Sequence, residues 1–465
     1  MSGPAAWLAR NAYASVLRLG TPAYLWRVWS RGREEPDYRL HWWERLGLYG
    51  ADHRRALQQS HVRGGPLVWV HAVSLGEARA ASALVQALRQ QAPAMRLLLT
   101  HSTATGREAG KALMRPQQGD LQTWLPYDTP GAVRRFLRAH RPDLGVLMET
   151  EVWPVLQHQT ARFGVPMVLA NARLSDKSLR QGLRLSGLMR PAVQSLQTVL
   201  AQTESDAQRL RVMIDGAERP TLQVCGNVKF DMTPAPVQLL LGQGWRGAAL
   251  PGQPARPIVL AASTREGEEA GLLQTWQEAL SVARQVASAK DVAAAVPRLW
   301  IVPRHPQRFD EVAALVLSQG LRLSRRSQWT GGLPDAQALD ADVWLGDSMG
   351  EMPAYFAAAR VALLGGSFAP LGGQNLIEAA ACGCPIVMGP STFNFAEAAQ
   401  LSEAAGAARR VDGWPQGVAV ALAWSASPNH DDSVAQCLAF AQAHRGAAER
   451  MARLILAQVR RPLSI

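Results

Sequence analysis

The sequence predicts an α/β protein built on two parallel, doubly wound sheets, and three observations carry that expectation. From Pro66 onward, short apolar runs of strand length alternate with helical patterns, and a second series of the same kind opens at Ile258. Such alternation is the signature of βαβ units. Residues 232–257, rich in Pro, Gly and Gln, separate the two series. The third observation is the stretch VALLGGSFAPLGGQNLIEAAACGCPIVMGP, residues 361–390. There an apolar strand, a glycine-rich loop, a helix from Asn375 and a second strand follow one another.

In chain order, residues 1–33 hold five arginines and no acidic residue. Leu8, Ala12, Val16 and Leu19 fall on one helical face, with Arg10, Asn11 and Arg18 opposite. Gly20, Thr21 and Pro22 are expected to break that helix. Tyr24, Leu25, Trp26 and Trp29 follow. A basic amphipathic helix with interfacial aromatics suits the headgroup region of a bilayer. Each basic residue adds about 1 kcal/mol near an anionic surface. A surface helix packed on its own domain fits the same pattern, whereas a cleaved signal peptide needs a longer arginine-free apolar core.

The first alternating series predicts strands at 67–70, 96–100, 144–148, 167–170 and 198–201. Ligands of doubly wound sheets bind beyond the carboxyl ends of the strands. That rule selects the loops at 71–77, 100–106, 149–153 and 171–175 as the lining of a cleft. The second series predicts strands at 258–262, 299–302, 321–324, 343–345, 361–364 and 385–388, and the tail at 432–460 reads as helical. A chain of 465 residues with 48% apolar content is long enough for two or three domains with separate cores. Cys225, Cys382, Cys384 and Cys437 have no metal-ligand or disulfide spacing and fit a reducing compartment. The formal charge of +12 implies an acidic partner: nucleic acid, a membrane surface or an anionic substrate. No run reaches the eighteen or so uninterrupted apolar residues of a spanning helix.

In the central stretch Gly365, Gly366, Gly372 and Gly373 let backbone approach a ligand, and the helix start favours an anion. Glu378, at i, i+3 from Asn375, can accept two hydroxyl hydrogen bonds of a ribose diol. The combination suits a nucleotide; an ordinary strand–loop–helix crossover fits it equally. Glu77 sits where a strand meets a helix, as a dipole partner or as a general base for an acceptor hydroxyl. Glu149 and Glu151 close an apolar strand, and Glu149 faces the cleft if Glu151 starts the next helix. Lys229 follows a strand just before the linker, as a compact cation for a carboxylate or as a surface lysine. Arg304 and His305 follow the 299–302 strand, where an arginine suits phosphate. Asp347 to Glu351 (DSMGE) opens another helix, with Glu351 as a capping residue or part of an anion site. There is no GxxxxGK[ST] loop, HExxH site or GxSxG elbow. Metal-independent chemistry is therefore expected.

Together these motifs resemble the Kdo transferases, the 3-deoxy-D-manno-octulosonic acid transferases of lipopolysaccharide synthesis, glycosyltransferase family 30. The matching stretches are HAVSLGE, LPYDTPGAVRRFL, METEVWP, NARLS, GNVKFD, STREGEE, VPRHPQRF, GDSMGE, GGSFAPLGGQN and MGPSTFNF, collinear from about residue 70 to 395. The resemblance implies a GT-B fold, two Rossmann-like domains facing a cleft, with an amino-terminal membrane-associated helical segment at residues 1–50. An acceptor-side domain would span 51–231, a linker 232–257, a nucleotide-sugar donor domain 258–431 and a carboxy-terminal helical segment 432–465. It implies inverting transfer of Kdo from CMP-Kdo to the lipid A precursor lipid IVA, at the cytoplasmic face of the cell inner membrane. The partners are then the donor, the lipid acceptor and an anionic membrane surface, with no nucleic acid. No cofactor or metal is implied, CMP-Kdo being a substrate.

Carried over by motif, Glu77 is the general base, and Glu149 and Lys229 stabilise the transition state. Donor contacts come from Pro303 and Arg304, from Met349, Gly350 and Glu351, and from Asn375, Leu376, Ile377 and Glu378. The sequence departs from the family pattern at Gln374, where histidine is usual, at Leu376, where proline is usual, and at Arg265, where STHEGEE is usual. Glutamine keeps hydrogen bonding but cannot become cationic. Two other readings fit parts of the chain: another GT-B nucleotide-sugar transferase or epimerase, and a non-enzymatic basic protein that binds lipid or nucleic acid. The second lacks a basic, aromatic-interleaved stripe outside the amino-terminal segment.

Overall fold

The computed structural model describes residues 4–286 and 296–459. Residues 1–3, part of the expected membrane segment, and Arg460, the expected end of the tail helix, lie outside the described residues. The chain divides into two compact units: Met1–Asp231 with Arg445–Ile465, and Met232–His444.

The first unit is built on a seven-stranded sheet in the order β3-β2-β1-β4-β5-β6-β7. Its strands are β1 Leu67–His71, β2 Arg96–His101, β3 Leu121–Trp124, β4 Leu144–Met148, β5 Met167–Ala172, β6 Thr198–Ala201 and β7 Thr221–Val224. Every pairing is parallel. β1, β2, β4 and β5 are buried along their whole length, as helices on both faces require. Successive β1 residues point to opposite sides: Val68 and Val70 join one core layer, Leu67 and Trp69 the other. The strand order reverses between β1 and β4, which makes that point the crevice where ligands bind in such sheets.

The second unit repeats the plan in the order β10-β11-β9-β8-β12-β13-β14. The strands are β8 Ile258–Thr264, β9 Arg298–Pro303, β10 Leu323–Arg325, β11 Val343–Leu345, β12 Val361–Leu364, β13 Ile386–Met388 and β14 Ala408–Arg410. Here β8 is central, flanked by β9 and β12. β3 and β14 have no counterpart among the strands expected from sequence, and β7 is the strand expected without bounds ahead of Lys229. LQTW, TLQV and ARR mix polar with apolar residues because β3, β7 and β14 are edge strands, β7 being largely exposed.

Three local expectations change. Gly20-Thr21-Pro22 does not break the amino-terminal helix, which runs unbroken as Pro4–Arg31. Proline removes only the N–H that would reach the Arg18 carbonyl, and Arg18 is exposed, so water can take that place. The Thr21 hydroxyl donates to the Leu17 carbonyl at 2.7 Å, and Ala14 and Val28 anchor the helix by burial. The stretch read as linker contains the helix Pro236–Gly247, whose Trp245 is fully buried, 5.1 Å from Trp300. The tail forms two helices, His430–Ala443 and Ala447–Leu456, because Gly446 turns the chain at φ +92°. The second of these packs Met451, Ala452 and Ile455 into the core layer shared with the helix Leu75–Gln91 of the first unit.

Candidate functional site

In the first unit the candidate residues gather at the β1/β4 switch point. β1 leads through Ala72 and Val73 to Ser74, which caps the helix Leu75–Gln91 by accepting the Glu77 N–H at 3.4 Å. Glu77 reaches back, its Oε2 accepting the Val73 N–H at 2.7 Å. This reciprocal pair is a capping box displaced by one residue. It fixes the glutamate's rotamer and leaves Oε1 for another partner. Burial pushes the Glu77 carboxyl up to about 7, and the nearby charges of Glu149 and Glu151 add to the rise. The Val73 N–H and Lys229 oppose it.

Glu149 follows β4 with a left-handed backbone, φ +56°. Its side chain is buried between two cations, Lys229 Nζ at 2.9 Å from Oε1 and Arg173 Nε at 2.9 Å from Oε2. Lys229 lies in the one-turn helix Val228–Asp231, set by Asn171 and Asn227. Asn171 Oδ1 accepts the Val228 N–H at 3.1 Å, and Asn227 Oδ1 accepts the Lys229 N–H at 3.0 Å. Glu151 precedes the helix Pro154–Arg162 and accepts the Trp153 indole N–H at 2.7 Å. Burial raises its carboxyl as well. His71 stands 4.0 Å from Glu151, and full burial lowers its pKa to about 3, so it is neutral at working pH. The arrangement holds one carboxyl poised near neutrality beside a carboxylate already balanced by two cations. That division of labour is what a proton acceptor and a charge stabiliser need.

In the second unit the candidates surround β8. Gly365 follows β12 and must be glycine: a Cβ there would lie 2.3 Å from the Ser263 carbonyl oxygen. The loop that follows is held by Glu268, which no sequence argument singled out. Its Oε2 accepts the N–H groups of Arg265 (2.8 Å) and Gly366 (2.7 Å). Its Oε1 accepts those of Phe368 (3.2 Å) and Ala369 (3.1 Å). The signal was present in STREGEE as paired glutamates at a helix start, but pairing alone does not reveal a carboxylate clamped under a loop from another strand. The adjacent Glu269 forms a bidentate pair with Arg308, at 2.7 and 3.0 Å. Arg173, in NARLS, was likewise passed over.

Pro303 ends β9, buried, and Arg304 follows it into solvent, its N–H bonded to the Thr264 carbonyl at 2.9 Å. Met349 is exposed and Gly350 takes φ +83°. Glu351 pairs with Arg326 at 2.8 Å and accepts from Ser348, so its carboxylate already anchors its own loop. Asn375 caps the short helix Leu376–Ala381, its Oδ1 accepting the Ile377 N–H at 3.2 Å. The side chains of Leu376 and Ile377 are buried in the core, so only their backbone can serve a ligand. Glu378 is half-buried on the same short helix.

A relative from Bordetella pertussis, a 3-deoxy-D-manno-octulosonic acid transferase, is 44% identical over 95% of this chain and 98% of its own length. The chain belongs to the Kdo transferase family. The family profile described as 3-Deoxy-D-manno-octulosonic-acid transferase (kdotransferase) matches residues 40–232. A second Kdo transferase, from Haemophilus influenzae, is 32% identical over 83% of the chain and 84% of its own length. Among solved structures, the UDP-GlcNAc 2-epimerase from Neisseria meningitidis bound to UDP-GlcNAc superposes with TM-score 0.52 over 84% of this chain and 99% of that one. At 13% identity that likeness shows the fold alone: two parallel-sheet α/β domains of the GT-B kind. In this Kdo transferase the motif residues of the first unit converge on one crevice, and those of the second line the loops that follow β8, β9, β11 and β12.

Proposed function

We propose that the protein transfers Kdo from CMP-Kdo to a lipid A precursor, lipid IVA, by a single inverting displacement in which Glu77 is the general base. The observation that carries the reading is the Glu77 carboxyl, locked by Val73 and lifted to about 7. The acceptor oxygen forms its bond to the anomeric carbon as the bond from that carbon to the CMP phosphate oxygen breaks. CMP leaves with the electron pair, and the acceptor proton passes to Glu77. A base of pKa near working pH combines a large deprotonated fraction with useful basicity. Glu149 offsets positive charge at the donor sugar as it becomes oxocarbenium-like, and Lys229 holds the donor's carboxylate. The departing phosphate is received by Arg304 and by N–H groups at the start of the helix Leu376–Ala381, without a metal. Asn375 and Glu378 suit the ribose. Mass spectrometry of lipid IVA incubated with CMP-Kdo and the protein tests the whole reading: the acceptor should gain whole Kdo units, and no gain would reject it.

Arg304→Ala should weaken CMP binding by about 1.5–3 kcal/mol, the range for a hydrogen bond to a charged group. Calorimetry giving equal CMP affinity in variant and parent would move the phosphate elsewhere.

The same reading places the protein on the anionic cytoplasmic face of the inner membrane. Among the described residues no helix is long and apolar enough to cross a membrane. The helix Pro4–Arg31 instead turns Leu8, Leu19 and Trp26 outward, Leu19 84% and Trp26 70% exposed, with Arg18 exposed on the same helix. Exposed apolar side chains beside arginines suit the headgroup boundary. Replacing Leu8, Leu19 and Trp26 together by Ser leaves the buried Ala14 and Val28 in place and should abolish co-sedimentation with anionic vesicles. Undiminished co-sedimentation would sink the membrane assignment while leaving the transfer reaction untouched.

A further inference from the structure

An apolar cavity of about 320 Å³ lies in the first unit between the helix Pro4–Arg31 and the loops that follow β2, β3 and β4. Val16, Leu17, Gly20, Tyr24, Leu125 and Trp153 form its apolar wall. Of the polar residues that also line it, Arg45 and Tyr127 each keep a buried polar atom without a hydrogen-bond partner. Arg45 is only 2% exposed, and its Nε has no hydrogen-bond acceptor. Its Nη2 donates to the Ser102 carbonyl at 3.2 Å, and the guanidinium lies over the Trp124 ring, 3.9 Å from the centroid. The neighbouring carboxylate of Glu44 is committed elsewhere, to Arg107 and Thr123 at 2.9 Å each and to the Trp124 N–H at 3.0 Å. The Tyr127 hydroxyl is buried and unpartnered as well. A buried guanidinium without an ion-pair partner is costly, and the carboxylate that lines the cavity, Asp128, is committed to the Val155 and Leu156 N–H groups at 3.0 and 2.6 Å. Here the guanidinium faces a cavity otherwise made for hydrocarbon.

We propose that this cavity binds one aliphatic chain of the lipid acceptor, with Arg45 and the Tyr127 hydroxyl taking an anionic oxygen group at the head of the chain. The proposal rests on the lipid acceptor reading above and extends it to a location. Each half of the cavity asks for one half of an acylated, anionic amphiphile: the apolar wall for the chain, the orphan donors for phosphate oxygens. The cavity also adjoins the reaction centre through short links. Ser102, whose carbonyl holds Arg45, donates its N–H to the Val73 carbonyl at 3.4 Å, and the Val73 N–H is the group that holds Glu77. Trp153, on the cavity wall, donates to Glu151 beside Glu77. An acceptor anchored here has its sugar within reach of the base. The amino-terminal helix then has two tasks, membrane contact on its outer face and one wall of the chain channel on its inner face.

Gly20 offers a clean test. A Cβ there meets nothing within 4 Å, and the residue is helical, so Gly20→Leu is compatible with folding while adding bulk to the lining of the cavity. Dodecyl phosphate is the probe, titrated calorimetrically into the full-length protein beside dodecanol and inorganic phosphate. The parent should bind dodecyl phosphate more tightly than either, and Gly20→Leu should bind it at least about tenfold more weakly. Arg45→Gln should erase the preference for dodecyl phosphate over dodecanol. In transfer assays Gly20→Leu should raise the KM for the acylated acceptor about tenfold relative to the same sugar stripped of its acyl chains. No binding of dodecyl phosphate by the parent, or equal binding by parent and Gly20→Leu, overturns the proposal. Failure of the acceptor reading itself looks different: the parent then binds dodecyl phosphate in the cavity yet transfers Kdo to no lipid A precursor.

Discussion

Glu77→Gln should lower single-turnover transfer by about 10²-fold or more while leaving donor binding and folding close to the parent. The residue's place in the first unit separates these effects. Its carboxylate accepts one N–H, from Val73, and a glutamine oxygen can accept the same bond, so the cap survives. What the amide cannot do is take a proton at working pH. The loss in stability through the helix dipole is limited to about 0.3–1 kcal/mol. The donor contacts proposed in the second unit do not involve this side chain, so CMP-Kdo affinity should barely change. Near-parental transfer by a well-folded variant would remove Glu77 as the base and make Glu151, a neighbouring carboxyl that burial also raises, the next to test.

The pH dependence follows with its sign. A base whose carboxyl titrates at about 7 is active when ionised, so the parent's rate should rise as pH increases through 7 and then level off. The residual rate of Glu77→Gln should lose that rise. Stability runs the other way. Because burial raises the folded pKa above the ordinary 4.5, the folded form holds the proton more tightly than the unfolded form. Between those two values the parent therefore loses stability as pH rises. The melting temperature of Glu77→Gln relative to the parent should move in the variant's favour over the same interval. A flat difference between pH 5 and 8 would show that the carboxyl is not raised.

What was legible in the sequence follows from how each feature is encoded. Strands buried on both faces, such as LVWVH in β1 and VALL in β12, stand out as apolar runs whatever surrounds them. The edge strand ARR does not, because an edge strand needs no apolar run and only pairing identifies it. The continuity of the Pro4–Arg31 helix was equally hidden. Proline's local cost is visible in sequence, whereas the burial of Ala14 and Val28 that offsets it is tertiary. Among site residues, Glu77 was legible because Ser74 and Glu77 form a local motif beside a strand end. Leu376 and Ile377 came only from the motif, and their side chains face the core. The roles of Arg173 and Glu268 depend on partners from other strands, Glu149 after β4 and the loop after β12, so neither spacing nor residue type could announce them.

Glu268→Ala should damage the donor half more than any change to a residue that touches the nucleotide. The carboxylate is buried and gathers four backbone N–H groups, one from Arg265 after β8 and three from Gly366, Phe368 and Ala369 after β12. Without it these donors lose their acceptor in a place that admits little water, each at about 1–3 kcal/mol if nothing replaces the bond. The loop can relieve part of this only by shifting, so a net loss of about 3–5 kcal/mol in the second unit is expected rather than the full sum. Glutamine is no rescue: its NH₂ would point at two of the N–H donors in place of an oxygen. Burial also holds the Glu268 carboxyl above its ordinary range, against the pull of those N–H groups, so the protein keeps a costly buried acid for the sake of this loop. A loop moved by even an ångström carries with it the start of the helix Leu376–Ala381, which then no longer meets the phosphate, and CMP affinity should fall at least about tenfold. Calorimetry on Glu268→Ala reads both quantities, the unfolding transition of the second unit and CMP binding. Parental values of both would show that Glu268 does not hold the loop.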